Sequence, residues 1–183
     1  MTAPRLAAIA IALACVIAGK TYYRHATADE LAWLLAPTAV CVSAATDTHF
    51  VRERGVGYVY LPPHGLRPRC APGVRRACDR DAAFEIVPEC AGLHFLLCAL
   101  VVLVIAAAPA SWSAAAKSLA IAIAGAYAAT IVVNTARIAI AVRLHEHAIG
   151  GADLHRLEGT VVYLGGLCVL YSLARRLYAH EAA

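Results

Sequence analysis

The sequence predicts an all-α bundle of membrane helices, with about five transmembrane helices, a short interfacial helix and a small β-rich loop. Three observations carry this. Hydrophobic residues make up 61% of the 183 residues and charged ones 15%, well above the roughly 45–50% apolar share of soluble domains. Mean hydropathy is +0.67. Apolar runs also recur between short polar segments, and the single long polar stretch is 46–89. The economical expectation is one membrane domain over 1–183, with 46–89 inserted as an extracytoplasmic loop. The net charge of +4 comes mostly from arginines scattered through loops. It lacks the basic helix and interleaved aromatics of a nucleic-acid binder, which sets that class aside.

Taken in order, residues 6–23 form a first span with Tyr22 and Tyr23 at the interface. Arg5 before an alanine-rich core resembles a secretory signal, but a clean cleavage site followed by a polar region is missing. A polar hinge at 20–30 leads to a second apolar segment, 31–45, which contains Pro37 and is short for a hydrocarbon core of about 30 Å. Within 46–89, the segments 56–61 and 83–87 have the β-branched and aromatic content of short strands. The strongest span is 91–108, closed by Pro109. The next, 118–133, is rich in small residues that let membrane helices approach closely, and it ends at Asn134-Thr135-Ala136-Arg137. Segment 137–149 is short and charged, so it reads as an interfacial or partly re-entrant helix. A Gly150-Gly151-Ala152-Asp153 turn then leads into the last helix, which starts near His155 and runs to Arg175-Arg176.

This count of spans places Cys90, Arg137 and His155 at ends of three helices on one side of the membrane. The charges on short loops, Lys20, Arg24, Lys117, Arg175 and Arg176, favour the cytoplasm for the opposite side. Seven arginines in the long loop argue against that orientation, and acidic residues alternate with them. The loop is therefore expected outside, where a Cys70–Cys78 disulfide is permitted. Zinc on His64, Cys70 and Cys78 would need a fourth ligand that is not obvious. Cys15, Cys41, Cys98 and Cys168 lie inside spans and read as packing residues.

The functional candidates centre on Cys90. A cysteine at the first turn of a helix lies near free N–H groups and the positive end of the helix dipole, which favours the nucleophilic thiolate. Cysteine is equally a common small residue of apolar helices, and buried structural cysteines are inert. Arg137 reads either as a substrate-binding cation or as an interfacial anchor that snorkels to headgroups. His155 reads as a base or as an ordinary first-turn residue. His94, one turn after Cys90, is a fallback base. His145, His147 and Arg143 are rivals, and the alternation of His145, Glu146 and His147 around the helix disfavours a shared metal site. Asn134, one turn before Arg137, shares its face and suits an orienting role.

Cys90-Ala91-Gly92 opening one helix, Asn134-x-x-Arg137-Ile138 closing another and His155-x-x-x-Gly159 opening the last resemble, in order and spacing, the core of the exosortase/archaeosortase family. Leu35-Ala36-Pro37-Thr38 and Gly57-Tyr58 resemble its short exosortase K branch. The resemblance covers roughly residues 31–175. It implies a membrane cysteine protease or transpeptidase that cleaves the C-terminal sorting signal of exported proteins, with Cys90, Arg137 and His155 as catalytic residues. The expected partners are exported proteins bearing a C-terminal transmembrane helix and basic tail, together with membrane lipids. No cofactor and no metal are indicated. The competing class is a non-enzymatic transporter subunit or scaffold with a polar pocket at its helix ends, for which Cys90 is dispensable.

Overall fold

The computed structural model describes residues 3–46, 48–53, 57–61, 85–86, 90–107, 112–146 and 152–181. Among the described residues, five helices and three strands follow in the order α1 (Ala3–His25), α2 (Ala32–Thr46), β1 (His49–Glu53), β2 (Gly57–Leu61), β3 (Glu85–Ile86), α3 (Leu93–Ala107), α4 (Trp112–Glu146) and α5 (Ala152–Glu181). Helices α3 and α4 pack at the centre. Helix α1 lies against α3, α2 lies against α4, and α5 lies against both central helices. Stretches Leu6–His25, Ala116–Leu144 and Arg156–Leu177 are long and apolar enough to cross a membrane. Helices α2 and α3 have 15 residues each, fewer than the about 20 that span a bilayer upright. Large apolar side chains such as Ile17, Val40, Val132 and Leu177 remain exposed on the bundle surface. The protein is a helical membrane protein.

Two apolar clusters hold the bundle together. In the first, Leu31, Leu34, Leu35 and Val42 in and just before α2 meet Ile138 and Val142 of α4, Leu93 of α3, and Ile86 and Ala91. Phe50 and Tyr58 from the sheet pack against this cluster, and so does Cys90. In the second, Phe95, Ala99, Leu103 and Val104 of α3 meet Ala12 of α1, Ala122 and Ala126 of α4, and Ala174 of α5. Alanine at so many of these positions lets the helix backbones come close, and close packing replaces the hydrophobic drive that lipid cannot supply.

The strands form an antiparallel sheet in the order β1-β2-β3, with Val51 opposite Val59 and Tyr58 opposite Ile86. Strand β1 is an addition to the two segments singled out by composition. The sheet is tied to the α1–α2 turn by an ion pair between Arg52 and Asp29 at 2.7 Å. That turn closes on a reciprocal cap. The Thr27 N–H and hydroxyl donate to the Glu30 carboxylate at 2.7 and 3.0 Å, while the Glu30 N–H donates back to the Thr27 hydroxyl at 3.4 Å, the pattern of a capping box. The polar hinge is thus shorter than expected, because α1 continues through Tyr23 to His25.

Pro37 sits inside α2. Proline has no N–H, so the carbonyl four residues earlier, that of Trp33, loses its helical donor. The Tyr127 hydroxyl of α4 donates to that carbonyl at 2.8 Å, and the Tyr127 and Trp33 rings stack with centroids 5.9 Å apart. A helix defect is thereby converted into a helix-to-helix joint.

Two expectations need correction. Residues 137–146 do not form a separate interfacial helix, since α4 runs unbroken from Trp112 to Glu146. The run Ala-Arg-Ile-Ala-Ile-Ala-Val-Arg-Leu contains neither proline nor glycine and is made of residues that tolerate a helix. Asn134 does not break the helix either, because its amide is engaged by other elements. Cys15, Cys41, Cys98 and Cys168 are exposed on the outer faces of their helices and do not pack the core. A thiol is apolar enough to face lipid. Cys70, Cys78 and His64 lie outside the described residues, as do the side chains of His145, Glu146 and His155, and His147.

Candidate functional site at the Cys90 turn

Cys90 precedes α3 and does not occupy its first turn. The Leu96 N–H donates to the Gly92 carbonyl at 3.0 Å, which makes Gly92 the residue that starts the helix. Gly92 has a φ of 76°, a left-handed conformation that only glycine adopts without cost. A Cβ at this position would lie 3.1 Å from Cγ of Asn134 and 3.2 Å from Cγ2 of Thr130. Two demands, a reversed backbone and a close approach to α4, therefore meet at one residue. Together they swing Cys90 back over α4, where it is half-buried.

Asn134 is fully buried, and both ends of its amide are used. Its Nδ2 donates to the Cys90 carbonyl at 2.6 Å, and its Oδ1 accepts from the Tyr163 hydroxyl at 2.8 Å. The Tyr163 hydroxyl in turn accepts from Nη1 of Arg137 at 3.3 Å. Arg137 also lies over the Tyr163 ring, with Cζ 5.3 Å from the centroid, within cation–π range. Phe95 of α3 supports the other aromatic contact, its ring centroid 5.3 Å from that of Tyr163. One chain of hydrogen bonds thus runs from the Arg137 guanidinium through α5 and back through α4 to the backbone of Cys90.

Arg137 reaches this position because Gly159 makes room. A Cβ on Gly159 would meet Nε of Arg137 at 2.8 Å and Cζ at 3.5 Å. The guanidinium therefore lies along the bare backbone of α5. Glu158, the neighbouring residue, is half-buried, and its carboxylate charge also acts on Arg137 and Tyr163. Arg137 is inside α4, nine residues before its end at Glu146. At about 1.5 Å per residue, this puts it roughly 13 Å below the helix terminus, not at the end that span counting suggested. His155 belongs to the first turn of α5, one helical turn before Gly159. His94 is exposed and meets Tyr23 edge to face at 4.8 Å between ring centroids.

A family model for transmembrane exosortases matches residues 76–172, more than half of the chain. The chain belongs to the transmembrane exosortase family. No curated protein and no solved structure matches it. The matched stretch contains Cys90, Asn134, Arg137, Gly159 and Tyr163, the residues that meet at this site. In this family member, Cys90, Asn134 and Arg137 come together as three of the four candidates singled out from the sequence. Tyr163 and Glu158 were missed. Tyr163 sits in an apolar run where a tyrosine reads as an interfacial or packing aromatic, and Glu158 looks like a first-turn acid. The available signal was spacing: Glu158 and Gly159 directly follow the turn of His155, and Tyr163 is one turn beyond Gly159 on the same stripe of α5.

Proposed function

We propose that this exosortase-family protein is a membrane-embedded cysteine protease or transpeptidase that cleaves the C-terminal sorting signal of exported proteins. Cys90 is the nucleophile. Its Sγ attacks the scissile carbonyl carbon, the carbonyl electrons move to oxygen, and collapse of the intermediate breaks the C–N bond to leave a thioester. Arg137, which stays protonated at any working pH, holds the substrate carbonyl and stabilises the oxyanion. His155 takes the thiol proton and delivers it to the departing amine. Asn134 orients the Cys90 turn. Water or an acceptor nucleophile then attacks the thioester and regenerates the thiol. The proposed substrates carry a C-terminal transmembrane helix and a basic tail, and the multi-pass bundle in the membrane presents its active site to the extracytoplasmic side.

The observation that carries this reading is the hydrogen-bond chain from Arg137 through Tyr163 and Asn134 to Cys90. It ties the backbone of the cysteine turn to a permanent cation in a half-buried setting. An interfacial anchor that snorkels to headgroups needs no such arrangement. The test is processing of a co-expressed protein with a C-terminal transmembrane helix and basic tail. Cys90→Ala abolishes processing while the variant accumulates in the membrane at the wild-type level. Equal processing by both proteins ends the catalytic assignment and leaves a binding pocket at the same place.

A further inference from the structure

We propose that Tyr163 is a positioning residue whose hydroxyl holds the Arg137 guanidinium at Cys90 and thereby sets the reactivity of the thiol. The inference deepens the reading of Cys90 as a nucleophile and rests on it. It starts from the one-way order of the hydrogen bonds. A guanidinium can only donate, so the Tyr163 oxygen must accept from Arg137 Nη1 at 3.3 Å. The hydroxyl proton is then free to point only at Asn134 Oδ1, 2.8 Å away. With Oδ1 so engaged, the Asn134 amide presents Nδ2 to the Cys90 carbonyl at 2.6 Å. Reversing any one bond would set two donors or two acceptors against each other. The chain therefore has a single proton arrangement, and a single residue, Tyr163, links its cationic half to its backbone half.

The ring adds a second constraint. Arg137 lies over the face of Tyr163, and Phe95 packs against the same ring at 5.3 Å. Gly159 removes the side chain that would otherwise occupy the path of Nε. Arginine near a membrane interface tends to extend towards headgroups. The hydroxyl opposes that tendency by giving the guanidinium a fixed acceptor inside the bundle. The hydrogen-bond chain ties the guanidinium to the backbone of the Cys90 turn, and a cation brought close to a thiol favours the thiolate, so loosening the tether lowers the thiolate fraction at neutral pH while leaving the fold intact.

The decisive variant is Tyr163→Phe in the full-length protein in native membranes. It removes one oxygen and keeps the ring that Phe95 and Arg137 contact. Alkylation of Cys90 by iodoacetamide is followed against pH, with the Cys90 peptide quantified by mass spectrometry, and substrate processing is followed in parallel. We expect membrane accumulation at the wild-type level, Cys90 alkylation at neutral pH slowed by roughly three- to tenfold, and the pH profile displaced to higher pH. In an Arg137→Gln background, the further Tyr163→Phe change has no added effect on alkylation, because Tyr163 acts through Arg137. An unchanged alkylation profile in Tyr163→Phe overturns the proposal. So does failure of this variant to accumulate, which makes the hydroxyl a structural requirement. Alkylation needs no substrate, so it reads the tether separately from the enzyme. If Cys90→Ala still processes substrate, the peptidase reading falls while the alkylation result stands on its own.

Discussion

At the scale of the residue, two glycines do more to build the site than any charged group. Gly92 reverses the chain so that the carbonyl of Cys90 faces Asn134. Gly159 clears the path of Arg137. Their motifs, Cys-Ala-Gly and His-x-x-x-Gly, are visible in the sequence, but the reason for each glycine lies in another helix. Gly159→Ala separates stability from activity. The added methyl gains up to about 1 kcal/mol of helix propensity, and the arginine side chain is flexible enough to move aside. The guanidinium must nevertheless leave its position, and a displacement of about 1 Å at a reacting centre can cost about 100-fold in rate. We therefore expect a thermal midpoint in detergent close to that of the wild type and processing reduced by roughly tenfold or more. A variant that is unfolded, or one that is fully active, contradicts this account.

At the scale of the element, the long α4 is the part that sequence reading divided wrongly. A polar cluster at Asn134, Thr135 and Arg137 looks like the end of a span because polar groups are costly in lipid. In the folded protein Asn134 and Arg137 face other protein groups, so the helix continues through them. The second joint of α4 runs through Tyr127 to the carbonyl exposed by Pro37, and it yields a double-mutant test. Tyr127→Phe destabilises the protein by about 1 kcal/mol, the usual worth of one hydrogen bond. In a Pro37→Ala background the backbone N–H restored at this position satisfies the Trp33 carbonyl, so the same Tyr127→Phe change costs measurably less. Thermal unfolding of the four proteins in one detergent checks the coupling, and equal costs in both backgrounds exclude it.

At the scale of the whole molecule, the α1–α2 turn, the sheet and the Cys90 turn form one connected end of the bundle. The Glu30 carboxylate lies below its usual range because it accepts hydrogen bonds from the Thr27 N–H and hydroxyl. A lowered carboxylate contributes stability above its ordinary value and loses that contribution as pH falls through the lowered one. We expect wild type to have a higher thermal midpoint than Glu30→Gln at neutral pH, with the gap closing on acidification, as read from midpoints of both proteins across that range. A gap that widens in acid reverses the sign of the argument. Class and candidate residues were legible in the chain because lipid demands long apolar helices, because a cation and an amide are rare enough there to stand out, and because Cys90, unlike the other span cysteines, opens an apolar run after a polar stretch. Their meeting was not legible. It depends on a left-handed turn at Gly92, on the unbroken length of α4 and on Tyr163, whose hydrogen bonds form only where α4, α5 and the Cys90 turn come together. Hydropathy is a property of the segment and can be read locally, whereas a hydrogen-bond chain between helices is a property of distances that only packing sets.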